Sequence, residues 1–207
     1  MSFKKLLAAT AFTAALSLPA VADLKTEEYV RTNAKDVLAS LNAPELDAEG
    51  RRAQFQTYMN EFTNLDAVAK FVIGKYSRRF SDEEMQQYLN AFSVYALAVY
   101  EDYFNQYQGT DILVTGSTDR NARDSIVNSE IISVNGQKLT VRWRVLNRNG
   151  AYQVVDIALY DQGNLIWLAI EQRAQFLGIL DKNNGALEPL IAKIDEMTAE
   201  LVARRPE

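Results

Sequence analysis

Residues 139–160 decide the fold: Leu139-Thr140-Val141-Arg142-Trp143-Arg144-Val145-Leu146, then Asn149-Gly150, then Tyr152-Gln153-Val154-Val155-Asp156-Ile157-Ala158-Leu159-Tyr160. Leu139, Val141, Trp143 and Val145 alternate with Thr140, Arg142 and Arg144, so one face of the segment is apolar and the other polar. A period of two is that of a β-strand, and a strand with one wet face belongs to an antiparallel sheet. Asn149-Gly150 supplies residues that tolerate the positive φ a tight hairpin needs. The segment therefore predicts two paired strands, 139–146 and 152–160.

Working towards the N-terminus, Asn135-Gly136 is a second hairpin signal, and Ser125–Val134 and Ile112–Thr118 read as two further strands. Before Gly109 the apolar residues change to helical spacing. Ser81 with Glu84 three residues later forms a capping box, with Phe80 and Met85 in the staple positions. From there to about Tyr107 a long helix carries an aromatic stripe: Tyr88, Phe92, Tyr95, Tyr100, Tyr103 and Phe104. Asn64 caps a short helix that Gly74 ends. Two stripes precede it, Val30 to Leu41 and Phe55 to Phe62, separated at Pro44. Beyond Tyr160 helical spacing returns over Leu165–Leu180. Asn184-Gly185 breaks it, and a last helix uses Leu187, Leu190, Ile191, Ile194 and Met197. The expected architecture is α+β: about six or seven helices laid across one face of a curved, four-stranded antiparallel sheet.

The chain begins with Lys4 and Lys5, a small and apolar run from Leu6 to Leu18, and Ala20-Val21-Ala22. This three-part plan predicts a signal peptide over residues 1–22, a single domain over 23–207, and export to the periplasm. The run is too short for the ~20 residues of a spanning helix. The 22 basic and 27 acidic residues give a net charge of −5. Loss of Lys4 and Lys5 with the leader takes this to about −7, which disfavours nucleic acid. Cys and His are both absent. That excludes Ser-His-Asp and Cys-His catalysis and leaves no ordinary zinc or copper ligand set, so neither a metal nor a cofactor is expected.

Few residues suggest chemistry. Asp156 stands inside an apolar strand and is either an acid or base in a pocket or a buried structural carboxylate. As no catalytic partner can be named for it, the structural role is the expectation. Glu171 and Arg173 read as a solvated helix face. Tyr76-Ser77-Arg78-Arg79-Phe80 sets two cations between aromatics, as a packed loop or a docking edge. The remaining anomaly is apolar surplus. Phe92, Tyr95, Val99 and Tyr100 on the long helix, Val141, Trp143, Val145 and Ile157 on the sheet, and Trp167, Leu168 and Ile170 after it either fill a core or line a pocket.

The stretch Phe71-Val72-Ile73-Gly74-Lys75-Tyr76-Ser77-Arg78 resembles the V-L-G-x-Y-W-R segment of the MlaC family of phospholipid-binding proteins, also known as toluene-tolerance auxiliary proteins, with Ser77 where the family has Trp. Tyr152-Gln153-Val154-Val155-Asp156 is similar to its W-K-V-x-D strand, and Gln172-Arg173-Ala174-Gln175-Phe176 to its x-R-x-x-F helix. The resemblance runs from about Leu24 to Ile194. Asp161-Gln162-Gly163-Asn164-Leu165 is slightly longer than its family counterpart.

The resemblance implies a cystatin-like or nuclear-transport-factor-like sheet wrapped by helices, and a periplasmic phospholipid carrier rather than an enzyme. Such a carrier takes acyl chains into an apolar pocket, lined here by the eleven residues of that surplus, and is expected to be a monomer. It would exchange lipid with an inner-membrane ABC transporter bearing an MCE-domain protein and with an outer-membrane lipoprotein–porin complex, maintaining outer-membrane lipid asymmetry. Two other readings stay open: a small enzyme using Asp156, and a ligand-free adaptor with a filled core.

Overall fold

The computed structural model describes residues 24–107, 109–133, 135–161 and 163–205. The signal peptide expected over 1–22 lies outside them, as do Val134 and Gln162. Helices α1 (Leu24–Leu41), α2 (Ala48–Phe62), α3 (Leu65–Ile73) and α4 (Asp82–Tyr107) precede strands β1 (Gly109–Asn121), β2 (Asp124–Ser133), β3 (Lys138–Arg148), β4 (Ala151–Asp161) and β5 (Asn164–Trp167). Helices α5 (Leu168–Lys182) and α6 (Glu188–Ala203) follow, and a 3-10 turn, Gly74–Arg78, joins α3 to α4. Among the described residues, no helix is long and apolar enough to cross a membrane.

Local chemistry sets the helix ends. The Asp47 side chain accepts from Gly50 N at 2.7 Å to start α2, and Asn64 from Ala67 N at 3.0 Å to start α3. The capping box before α4 is formed in both directions: Ser81 N donates to Glu84 Oε2 at 2.7 Å, and Glu84 N to Ser81 Oγ at 3.2 Å. Helix α3 stops at Gly74, whose φ of 52° is left-handed and whose missing Cβ leaves room for the Arg173 guanidinium.

The sheet is a simple antiparallel meander in the order β1-β2-β3-β4-β5. Asn149 (φ 56°) and Gly150 (φ 90°) make the two-residue turn between β3 and β4. The apolar face read from the sequence is the buried one: Val127 and Ile131 of β2, Leu139, Val141, Trp143 and Val145 of β3, and Val154, Ile157 and Leu159 of β4. The middle of α4 runs across this face. Every residue from Tyr95 to Tyr100 is buried there, because α2, α3 and α6 close over its other sides and α5 adds Phe176 against Phe92 and Tyr95.

The fifth strand differs from the expectation. Residues 165–167 are expected, from the spacing over Leu165–Leu180, to open a helix. Instead they pair with β4, Leu165 opposite Tyr160 and Trp167 opposite Ala158, and the helix begins at Leu168. The apolar run 165–168 has no decisive period, and β4 offers an edge of unpaired backbone groups. Gly163, at φ 85°, makes the turn.

Candidate functional site

A groove of about 500 Å³ opens where α4, α5 and α6 meet β5. Each helix contributes residues at three- or four-residue spacing, which puts them on one face. Tyr95, Val99 and Tyr103 come from α4, Leu168 and Gln172 from α5, and Met197 and Leu201 from α6, with Ile166 of β5 at one end. Tyr95, Val99, Leu168 and Leu201 form an apolar floor and are only 6–8% exposed. Asp102, Glu171, Gln175, Glu200 and Arg204 form a charged rim. The volume lies within the ~300–1,000 Å³ of typical ligand sites.

The groove is held by polar ties at its edges. Gln172, buried, bonds to the Tyr95 hydroxyl, and burial raises that phenol above its usual range. Arg204 Nη2 stands 3.5 Å from Asp102 Oδ2 across the rim. Buried Glu101 of α4 takes Arg205 Nη2 at 2.8 Å and Arg52 Nε at 3.2 Å, fastening the end of α6 and the start of α2 to α4.

The candidate lining residues divide. Tyr95, Val99 and Leu168 are brought together in the groove. Phe92, Tyr100, Val141, Trp143, Val145 and Ile157 are packed in the interior. Trp143 donates from Nε1 to Ser129 Oγ at 2.8 Å, and its ring lies 5.3 Å from Phe62 and 6.1 Å from Phe104. Phe92 meets Phe176 edge-on at 6.3 Å. Trp167 is half-buried at the end of β5, and Ile170 is exposed on α5. Sequence reasoning missed Tyr103, Ile166, Gln172, Met197 and Leu201 as lining groups. Met197 and Leu201 sit four apart on α6, but nothing in that spacing says which helix α6 meets.

Asp156 has a structural post. A bulge in β4 sets Arg144 opposite Asp156 and Val145 opposite Val154, leaving Val155 as the extra residue. Asp156 Oδ1 then accepts from Ile157 N and from Ala169 N, each at 2.9 Å. The second bond caps α5, whose own N-cap, Trp167, offers no side-chain acceptor. Burial pushes the carboxyl up to about 6, against the opposing pull of those two N–H groups and Arg144. Tyr100, fully packed nearby, is raised above the usual phenol range, chiefly by burial and then by the Asp156 charge.

The sequence profile described as MlaC protein matches residues 31–196. No curated protein matches significantly. Among solved structures, the chain is similar to the phospholipid-binding protein from Ralstonia solanacearum in complex with a phospholipid. The TM-score is 0.70 at 19% identity, covering 86% of this chain and 98% of that one.

Proposed function

From the premise that the chain belongs to the MlaC family, we propose that it is a phospholipid carrier whose acyl chains lie in the groove between α4, α5 and α6. The observation that carries this reading is the groove itself: an apolar floor built from three helices, open on one side and edged by charge. The chains rest on Tyr95, Val99, Leu168 and Leu201, and the headgroup stays at the rim with Arg204, Glu171 and Glu200.

The energetics suit a carrier. Each buried methylene contributes about 0.8 kcal/mol relative to water, so two chains of about thirty carbons together gain on the order of 20 kcal/mol at most. A bilayer offers the full gain and the open groove a part of it, so lipid passes readily from groove to membrane while escape into water stays unfavourable. No catalyst is needed for such a transfer. The leader read over residues 1–22 takes the protein to the periplasm. There it shuttles lipid, as a monomer, between an inner-membrane ABC transporter with an MCE-domain protein and an outer-membrane lipoprotein–porin complex, sustaining lipid asymmetry.

The test is solvent extraction and mass spectrometry of the purified protein. A near-stoichiometric glycerophospholipid is expected, and Val99→Glu or Leu168→Glu is expected to remove it while the protein stays folded. A lipid-free wild type, or full loading in both variants, would reject the carrier reading or its site.

A further inference from the structure

A second recess lies on the polar face of the sheet, away from the groove. Ala67, Val68 and Phe71 form a stripe along α3 and face Leu146 and Val155 across a space of about 230 Å³. This is smaller than the ~300–1,000 Å³ of small-molecule sites and suits a single side chain. At its edge Asn64 Nδ2 donates a hydrogen bond to Gln153 Oε1 at 2.9 Å.

The charge around it is unusual for an acidic protein. Arg148 lines the recess from β3, is exposed, and has no side-chain partner among the described residues. Arg173 lies over the Phe71 ring, 4.8 Å from its centroid, and donates to the Phe71 carbonyl; no described carboxylate pairs with it. The other charges are already engaged. Arg144 Nη2 is 2.9 Å from Asp124 Oδ2, and Asp156 spends its Oδ1 on backbone N–H groups. Arg148 in the lining and Arg173 over the ring of Phe71, neither paired with a described carboxylate, therefore stand beside an apolar hollow on a chain whose net charge is −5.

We propose that this recess is a socket for a protein partner that presents one apolar side chain flanked by carboxylates. Shape separates this from a membrane contact. A bilayer-binding surface projects its apolar side chains into lipid, whereas here Val68 is buried, Ala67, Leu146 and Val155 are half-buried, and the one well-exposed ring, Phe71, is covered by the Arg173 guanidinium. The apolar side chain fills the hollow and the carboxylates meet Arg148 and Arg173 in charge-assisted bonds. The socket is separate from the lipid groove and stands or falls independently of it.

The probe is the peptide Ac-Asp-Glu-Leu-Glu-Asp-NH2, titrated into the purified protein and followed by amide NMR shifts. A Gly-centred analogue and phosphatidylglycerol vesicles serve as controls. Saturable shifts are expected in α3 and at the β3–β4 turn, with weaker binding of the Gly peptide. Arg148→Glu should weaken binding roughly two- to fivefold or more, the scale of an exposed ion pair and its reversal. Ala67→Trp should fill the hollow and abolish binding, and both variants should keep the wild-type lipid content. The absence of saturable shifts, equal binding of the Gly peptide, or vesicle binding that Arg148→Glu removes would each overturn the socket. If Ala67→Trp fails to fold, Arg148→Glu and the Gly peptide still decide the matter.

Discussion

The interior under the sheet and the groove between α4, α5 and α6 are built from the same kinds of residue, yet one is filled and the other open. Under the sheet, Trp143, Phe62, Phe104 and Ile157 interlock at 2% exposure or less, and the one indole N–H has its partner in Ser129. In the groove, Tyr95, Val99 and Leu168 keep 6–8% exposure and border an open space, although Tyr95 also packs on Phe176 at 6.0 Å. The difference comes from what lies opposite. A helix laid on a sheet can interdigitate along its length, whereas three converging helices and a sheet edge leave a seam.

A charge placed in each region should divide them most strongly. Val145→Glu buries an unpaired carboxylate in packed interior and is expected to unfold the domain, a cost of several kcal/mol. Val99→Glu can meet water in the groove, so it should stay folded and lose its lipid. Melting curves and extracted-lipid quantitation on both variants check this, and unfolding at both sites would make the groove part of the core.

Truncation comes next. Trp143→Ala should cost about 3–5 kcal/mol in chemical denaturation, the range for large aromatics in close-packed cores. A much smaller loss would mean that the interior is looser than its contacts indicate.

Asp156 links the two regions, since it sits in the sheet and caps the helix that walls the groove. Its carboxyl is raised from 3.8 to about 6, so the folded protein holds that proton more tightly than the unfolded chain. The stability attached to the proton is full below about pH 3.8 and lost as pH rises through 6, on the order of 3 kcal/mol. Asp156→Asn keeps a carbonyl acceptor for both backbone N–H groups and should abolish that slope in denaturation series between about pH 4 and 7. An unchanged slope would assign it to other groups. The smallest effect is expected at Ile170. It is 52% exposed, so Ile170→Ser should change stability by less than about 0.5 kcal/mol and leave lipid content unaltered.

What could be read in advance follows from the range of each force. Helix caps, hairpin turns and the alternation along β3 act over two to four residues. Ser81 with Glu84, Asn149-Gly150 and the buried face of Trp143 were therefore legible in the sequence, and so was the α+β class. The run at 165–168 carries no such local signal. The exposed edge of β4 turned it into β5 and moved the start of the helix to Leu168. The candidate groove was legible only in part for the same reason. Periodicity marks Tyr95, Val99 and Leu168 as inward-facing but cannot say whether an inward residue meets a neighbour or a gap. That depends on where α6 lands, and α6 brings Met197 and Leu201 from about a hundred residues away from Tyr95. The sequence alone determined which side chains avoid water. The tertiary structure decided which of them also border an open space, because a void is a property of how separate elements meet and not of any one of them.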